Sequence, residues 1–189
     1  MSADRTLTIM TIISSVRNVV AKVNGWALAR TAPGAHHLRK AIKIGVSLGG
    51  LAFLKGAGVV LLALVGIDLS YDVMTPVELD RRTTIGFALA AIIVAPLLET
   101  GLMVILYRVL YHWLRLGLLG YVIVSVVFWG ANHIVAAWPA VIFIVMSYQY
   151  VAFRNALGRS KAFWSVALTH SVYNTILTTV IQLSLALPS

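Results

Sequence analysis

Cysteine is absent from the 189 residues, and acidic side chains are scarce: six Asp and Glu stand against fifteen Lys and Arg. The first absence excludes disulfides, thiolate nucleophiles and Cys-ligated zinc, so any chemistry rests on Glu, Asp, His, Ser, Thr, Asn and Tyr. Charge of either sign is rare as well. Charged residues make up 11% of the chain, hydrophobic ones 60%, and mean hydropathy is +0.91, whereas soluble domains carry about 25% charged residues. Such a composition argues against a water-soluble globule and for an integral membrane protein, in which the bilayer supplies most of the burial. A formal charge of +9 would suggest nucleic acid in a soluble protein, but here the cations sit mainly between apolar runs. They read as topology signals and lipid-headgroup contacts, so membrane lipid is an expected partner and nucleic acid is not.

The expected fold is all-α: a polytopic transmembrane helix bundle of about five spans preceded by an N-terminal amphipathic helix. Residues 5 to 31 place Leu7, Ile9, Ile12, Ile13, Val16, Val19, Val20, Val23 and Trp26 at helical spacing, interrupted by Arg17, Lys22 and Arg30. This pattern suits a helix lying among headgroups, so residues 1–40 form an interfacial segment and 41–189 a transmembrane domain. Pro33 and Gly34 break that helix before His36, His37, Arg39 and Lys40. Spans are expected at about 41–66, 84–110, 118–136, 138–153 and 162–187. Gly45, Gly49, Gly56 and Gly58 allow close helix approach in the first. Asp68, Asp72, Glu78 and Asp80 mark an exposed loop after it. The cations at 39–40, 115 and 154–161 recur on alternate connections and predict a cytoplasmic side, with the C-terminus outside.

Four polar residues sit where a membrane tolerates them poorly. An ionised carboxylate near mid-bilayer costs roughly 2.5 to 3.5 kcal/mol on insertion, which makes Glu99 a functional candidate by default. His133 ends the third apolar run, and His170 and Asn174 share one helix face through their i, i+4 spacing. Singly, each has a plain structural reading: Glu99 as partner of Lys55 or Arg108, His133 as an interfacial histidine, His170 and Asn174 as helix glue. Their depths bring them together. Measured from turns near Gly117 and Leu157, the three titratable groups lie about 27, 24 and 20 Å along their helices at 1.5 Å per residue. Convergence in one hydrogen-bonded, water-filled cavity would reduce the desolvation cost each would meet alone.

Over roughly residues 84–178 the chain resembles the CAAX-processing and bacteriocin-immunity family of intramembrane proteases, which includes the prenyl-protein endopeptidases. That family's signatures are Glu-Glu-x-x-x-Arg, Phe-x-x-x-His and His-x-x-x-Asn. The third stands intact as His170 to Asn174, and the second appears as Trp129 to His133 with Trp in place of Phe. In the first, Glu99 matches, but Thr100 replaces the second glutamate and Val104 stands where Arg is expected. The resemblance implies an endopeptidase of the bacterial inner membrane that cuts a membrane-associated protein or peptide. Glu99 and His133 would hold and deprotonate a water, and His170 and Asn174 would stabilise the oxyanion.

The chemistry agrees with those roles, since a desolvated Glu suits general-base work and an amide and an imidazole can donate to developing negative charge. No cofactor is expected. A divalent metal on Glu99, His133 and His170 is the alternative water activator. The other open readings are a catalytically inactive scaffold, immunity or assembly factor, and a small proton-coupled carrier.

Overall fold

The computed structural model describes residues 3–34, 36–64, 85–132 and 137–186, with the backbone alone for 3–10, 55–64, 85, 87, 129–132, 137–140 and 181–186. Every element among them is helical: α1 (Ala3–Thr31), α2 (His37–Leu64), α3 (residues 85–113), α4 (Gly117–Asn132), α5 (Ala137–Leu157) and α6 (Arg159–Ala186). The stretch Ala90–Trp113 is long and apolar enough to cross a membrane, and Gly117–Phe128 and Val141–Leu157 are shorter apolar helices.

Helix α3 is one continuous rod of four stretches, in which Ile85–Leu89 and Ala95–Leu106 are α-helical and Ala90–Val94 and Tyr107–Trp113 are π-helical. Its buried residues Pro96, Thr100, Met103, Tyr107 and Leu110 recur at alternating steps of four and three, a seam that faces the bundle. At the far end the chain turns through Arg115 at φ 52°, an uncommon conformation for a residue with a side chain. Gly158 at φ +85° makes the α5–α6 turn, and its N–H closes on the Arg154 carbonyl at 3.0 Å, as a glycine past a helix C-terminus does.

Helix α6 sits at the centre, against α2, α5 and α3. Its approach to α2 needs glycine: a Cβ at Gly45 would lie 2.6 Å from the Thr169 carbonyl oxygen, and one at Gly49 2.7 Å from Ile176 Cδ1. These two of the four expected glycines therefore serve close packing, and the side-chain surroundings of Gly56 and Gly58 lie outside the described residues. The pairs 45/169 and 49/176 run in the same direction, so α2 and α6 are parallel. Contacts Glu99–His170 and Ala91–Asn174 make α3 antiparallel to α6, and Met103–Ser147 and Tyr107–Arg154 make α3 parallel to α5. The cations of 108–115 and 154–161 thus gather at one end of the bundle, toward which the N-terminus of α2 also points.

Apolar side chains line both the core and the outside. Tyr121, Phe153, Met103, Met146 and Val166 are fully buried, whereas Leu98, Ile105, Trp113, Val127 and Trp164 project outward. Meanwhile Thr100, Ser125, Ser147, Gln149, Ser165 and Thr169 are completely buried. Gln149 Nε2 donates to Thr169 Oγ1 at 2.8 Å, and that hydroxyl donates to the Ala41 carbonyl at 3.0 Å, which ties α5, α6 and α2 together. Helix α1 turns Ile12, Ile13, Val16, Val19, Val23 and Trp26 outward, and Tyr148 OH of α5 donates to Asn24 Oδ1 at 2.6 Å.

Candidate functional site

The first π stretch of α3 sets up the site. In a π register the N–H of residue i+5 serves the carbonyl of residue i, and the Ala95 N–H accordingly bonds the Ala90 oxygen. The Ala91 carbonyl would take its π partner from residue 96, which is proline and has no N–H. Asn174 of α6 supplies the missing donor: its Nδ2 donates to Ala91 O at 2.7 Å. A carbonyl only accepts, which fixes the orientation of the amide and leaves its second N–H for another acceptor.

Two turns along α3, Glu99 meets His170 of α6, with His170 Nε2 3.5 Å from Glu99 Oε2. The environments of the two side chains differ. His170 is 5% exposed and Glu99 20%, so the imidazole is enclosed while part of the glutamate side chain reaches the surface of the bundle. Phe143 of α5 stands edge-on to the imidazole with centroids 6.0 Å apart, and the tilted Tyr173 ring lies 6.4 Å from it. The i, i+4 spacing of His170 and Asn174 lets one helix face present both to α3.

Of the four residues singled out by sequence, the structure brings Glu99, His170 and Asn174 to the α3–α6 interface. His133 lies outside the described residues, as does the side chain of Trp129, and the same is true of Lys55 as a partner for Glu99. Thr100, at the place of the second glutamate, is completely buried on the seam that faces the bundle, and its Oγ1 has no hydrogen-bond partner among the described residues. An ionised side chain there would be enclosed without water. Among the described residues no group of three or more His, Asp or Glu could hold a metal ion; Glu99 and His170 would supply two ligands. Phe143 and the Ala91 carbonyl carry no sequence signature of their own. The second was legible only through Pro96, five residues further on.

No family model, curated protein or solved structure matches this chain.

Proposed function

We propose that this chain is an integral membrane endopeptidase of the bacterial inner membrane, a polytopic bundle of about five spans that hydrolyses a peptide bond of a membrane-associated protein or peptide. The observation that carries the reading is the contact of Glu99 Oε2 with His170 Nε2 at 3.5 Å, on helices whose outward surfaces are apolar. A carboxylate and an imidazole held together in such a bundle are costly unless used, and a hydrolase can use both. Outward apolar residues around a core holding Thr100, Ser147, Gln149 and Thr169 support the membrane setting. The ordered motifs at Glu99, His133 and His170–Asn174 support the family resemblance.

In this mechanism Glu99 takes a proton from a water as its oxygen attacks the scissile carbonyl. The carbonyl oxygen gains the negative charge and is met by the His170 N–H and by the free N–H of Asn174. When the C–N bond breaks, the protonated Glu99 returns its proton to the leaving amine. His133 would orient the water, as the resemblance implies. Hydrolysis of quenched membrane-proximal peptides by the purified protein, beside Glu99→Gln, tests the reading, and turnover that survives prolonged chelation separates it from the metal alternative.

One observation favours a second reading. Thr100 is completely buried where the family's second glutamate would be and Val104 stands where its arginine would be, so two family groups are missing. An inactive member acting as scaffold, immunity or assembly factor fits that loss, and it requires that wild type cleave none of the peptides.

A further inference from the structure

The second π stretch of α3, Tyr107–Trp113, has no role in the proposed hydrolysis, yet it builds a cavity of about 220 Å³ at the cation-rich end of the bundle. Arg108 and His112 from α3, Arg154 from α5 and Arg159 from α6 line it, with Tyr107, Tyr150 and Trp113 as aromatic walls. Arg154 is held in place: its Nη1 donates to Tyr107 OH at 2.9 Å, its guanidinium lies 4.8 Å over the Tyr107 ring, and Nη2 contacts His112 Nε2 at 3.1 Å. A guanidinium has donors only, so His112 Nε2 accepts. None of Arg108, Arg154 and Arg159 has an ion-pair partner among the described residues, and Arg108 and Arg159 are exposed. Glu99 is the one acidic residue on α3, α5 and α6, and it contacts His170.

From this arrangement we infer that the cavity binds a phosphate group, and specifically the headgroup phosphate of an anionic phospholipid. Arg108, Arg154 and Arg159 all border the cavity, and arginine suits phosphate oxygens because each guanidinium offers paired donors. Lipid is favoured over a free anion because Trp113, on the cavity wall, is largely exposed, as are Leu114 and Leu116 next along the chain, and these would lie among acyl chains and headgroups. The inference rests on the membrane reading given above, and not on the hydrolytic one. With Arg108, Arg154 and Arg159 drawn onto one phosphate, α3, α5 and α6 would be clamped at the end remote from Asn174.

The test uses the full chain in neutral detergent, with bound lipid counted by native mass spectrometry during titration with phosphatidylglycerol, phosphatidylcholine or inorganic phosphate. Phosphatidylglycerol is expected to bind at one site per chain, at concentrations where phosphatidylcholine does not. Arg108→Gln and Arg159→Gln should each weaken it about 5-fold, and together roughly 25-fold, while Arg17→Gln on α1 changes nothing. A thermal scan of each variant shows that it is folded. Equal binding of the two lipids, or unchanged affinity in the double variant, would overturn the site. Inorganic phosphate competing at the same concentration as the lipid would overturn the lipid assignment in favour of a free anion. Recovery of the chain in the soluble fraction without detergent would defeat the membrane reading independently, and with it the lipid.

Discussion

The two π stretches of α3 make the same backbone distortion and put it to different ends. At Ala90–Val94 the slip meets a proline, a carbonyl is left without a helical donor, and the Asn174 side chain of a neighbouring helix completes it, two turns along α3 from the Glu99–His170 contact. At Tyr107–Trp113 no proline follows, and the register passes smoothly into the turn, with the Leu114 N–H bonding Val109 O at 2.9 Å. The first stretch therefore spends its irregularity on a contact between helices, and the second on direction, since it turns Tyr107, Arg108 and His112 toward one cavity. A π bulge of itself does not mark a catalytic centre. What it offers depends on which groups it strands and which neighbours can answer them.

Substitutions at the two ends should separate these roles. His170→Ala is expected to lower peptide turnover by about 10²- to 10³-fold, the usual effect of losing an oxyanion donor, whereas Arg154→Gln, at the other stretch, should leave turnover within about 3-fold. Comparable losses from both would merge the two regions into one functional unit. Next in size is the packing that holds α6 in place. Gly45→Ala forces its Cβ to within 2.6 Å of the Thr169 carbonyl oxygen, so it should destabilise by about 1 to 3 kcal/mol. Gly50→Ala, where a Cβ meets nothing within 4 Å, should be neutral or stabilising, read in the same detergent unfolding series.

Asn174→Ala removes the donor to Ala91 O and should cost about 1 kcal/mol of stability. Pro96→Ala restores a backbone N–H that can serve the same carbonyl, so the asparagine loss should be smaller in that background. A coupling of roughly 0.5 kcal/mol or more in the double-mutant cycle supports the account, and strict additivity breaks it. Smallest of all, Thr100→Val takes away a buried hydroxyl without a partner among the described residues and should raise stability by up to about 1 kcal/mol, with turnover unchanged.

Apolar spacing made the helices readable, since their positions follow hydrophobic runs broken at Pro33–Gly34, around Arg115 and at Gly158. Boundaries were less legible where charge and helix coincide. The expected span at 41–66 corresponds to a helix starting at His37, because Arg39 and Lys40 occupy its first turn and cations there do not end a helix. Likewise α6 begins at Arg159, three residues before the apolar run. The register slips in α3 were invisible, since a π turn has no composition of its own. Glu99, His170 and Asn174 stood out because polar residues are conspicuous within long apolar runs. The cavity at Arg108, Arg154 and Arg159 did not, because cations at helix ends serve topology equally well, and only the fold shows three of them around one space. Phe143 was hidden among many apolar neighbours; its place against His170 depends on how α5 and α6 cross.

The most direct test of the central claim is peptide hydrolysis by the purified full chain in lipid discs, wild type beside Glu99→Gln, across a panel of quenched membrane-proximal peptides. The substitution keeps size and hydrogen-bonding capacity while removing the base, so the variant should unfold at a temperature close to that of wild type. Wild type should cleave at least one peptide, and the variant should do so at least about 100-fold more slowly. Equal turnover by the two proteins, or no cleavage by wild type across the panel, would contradict the assignment of Glu99 and His170 to hydrolysis.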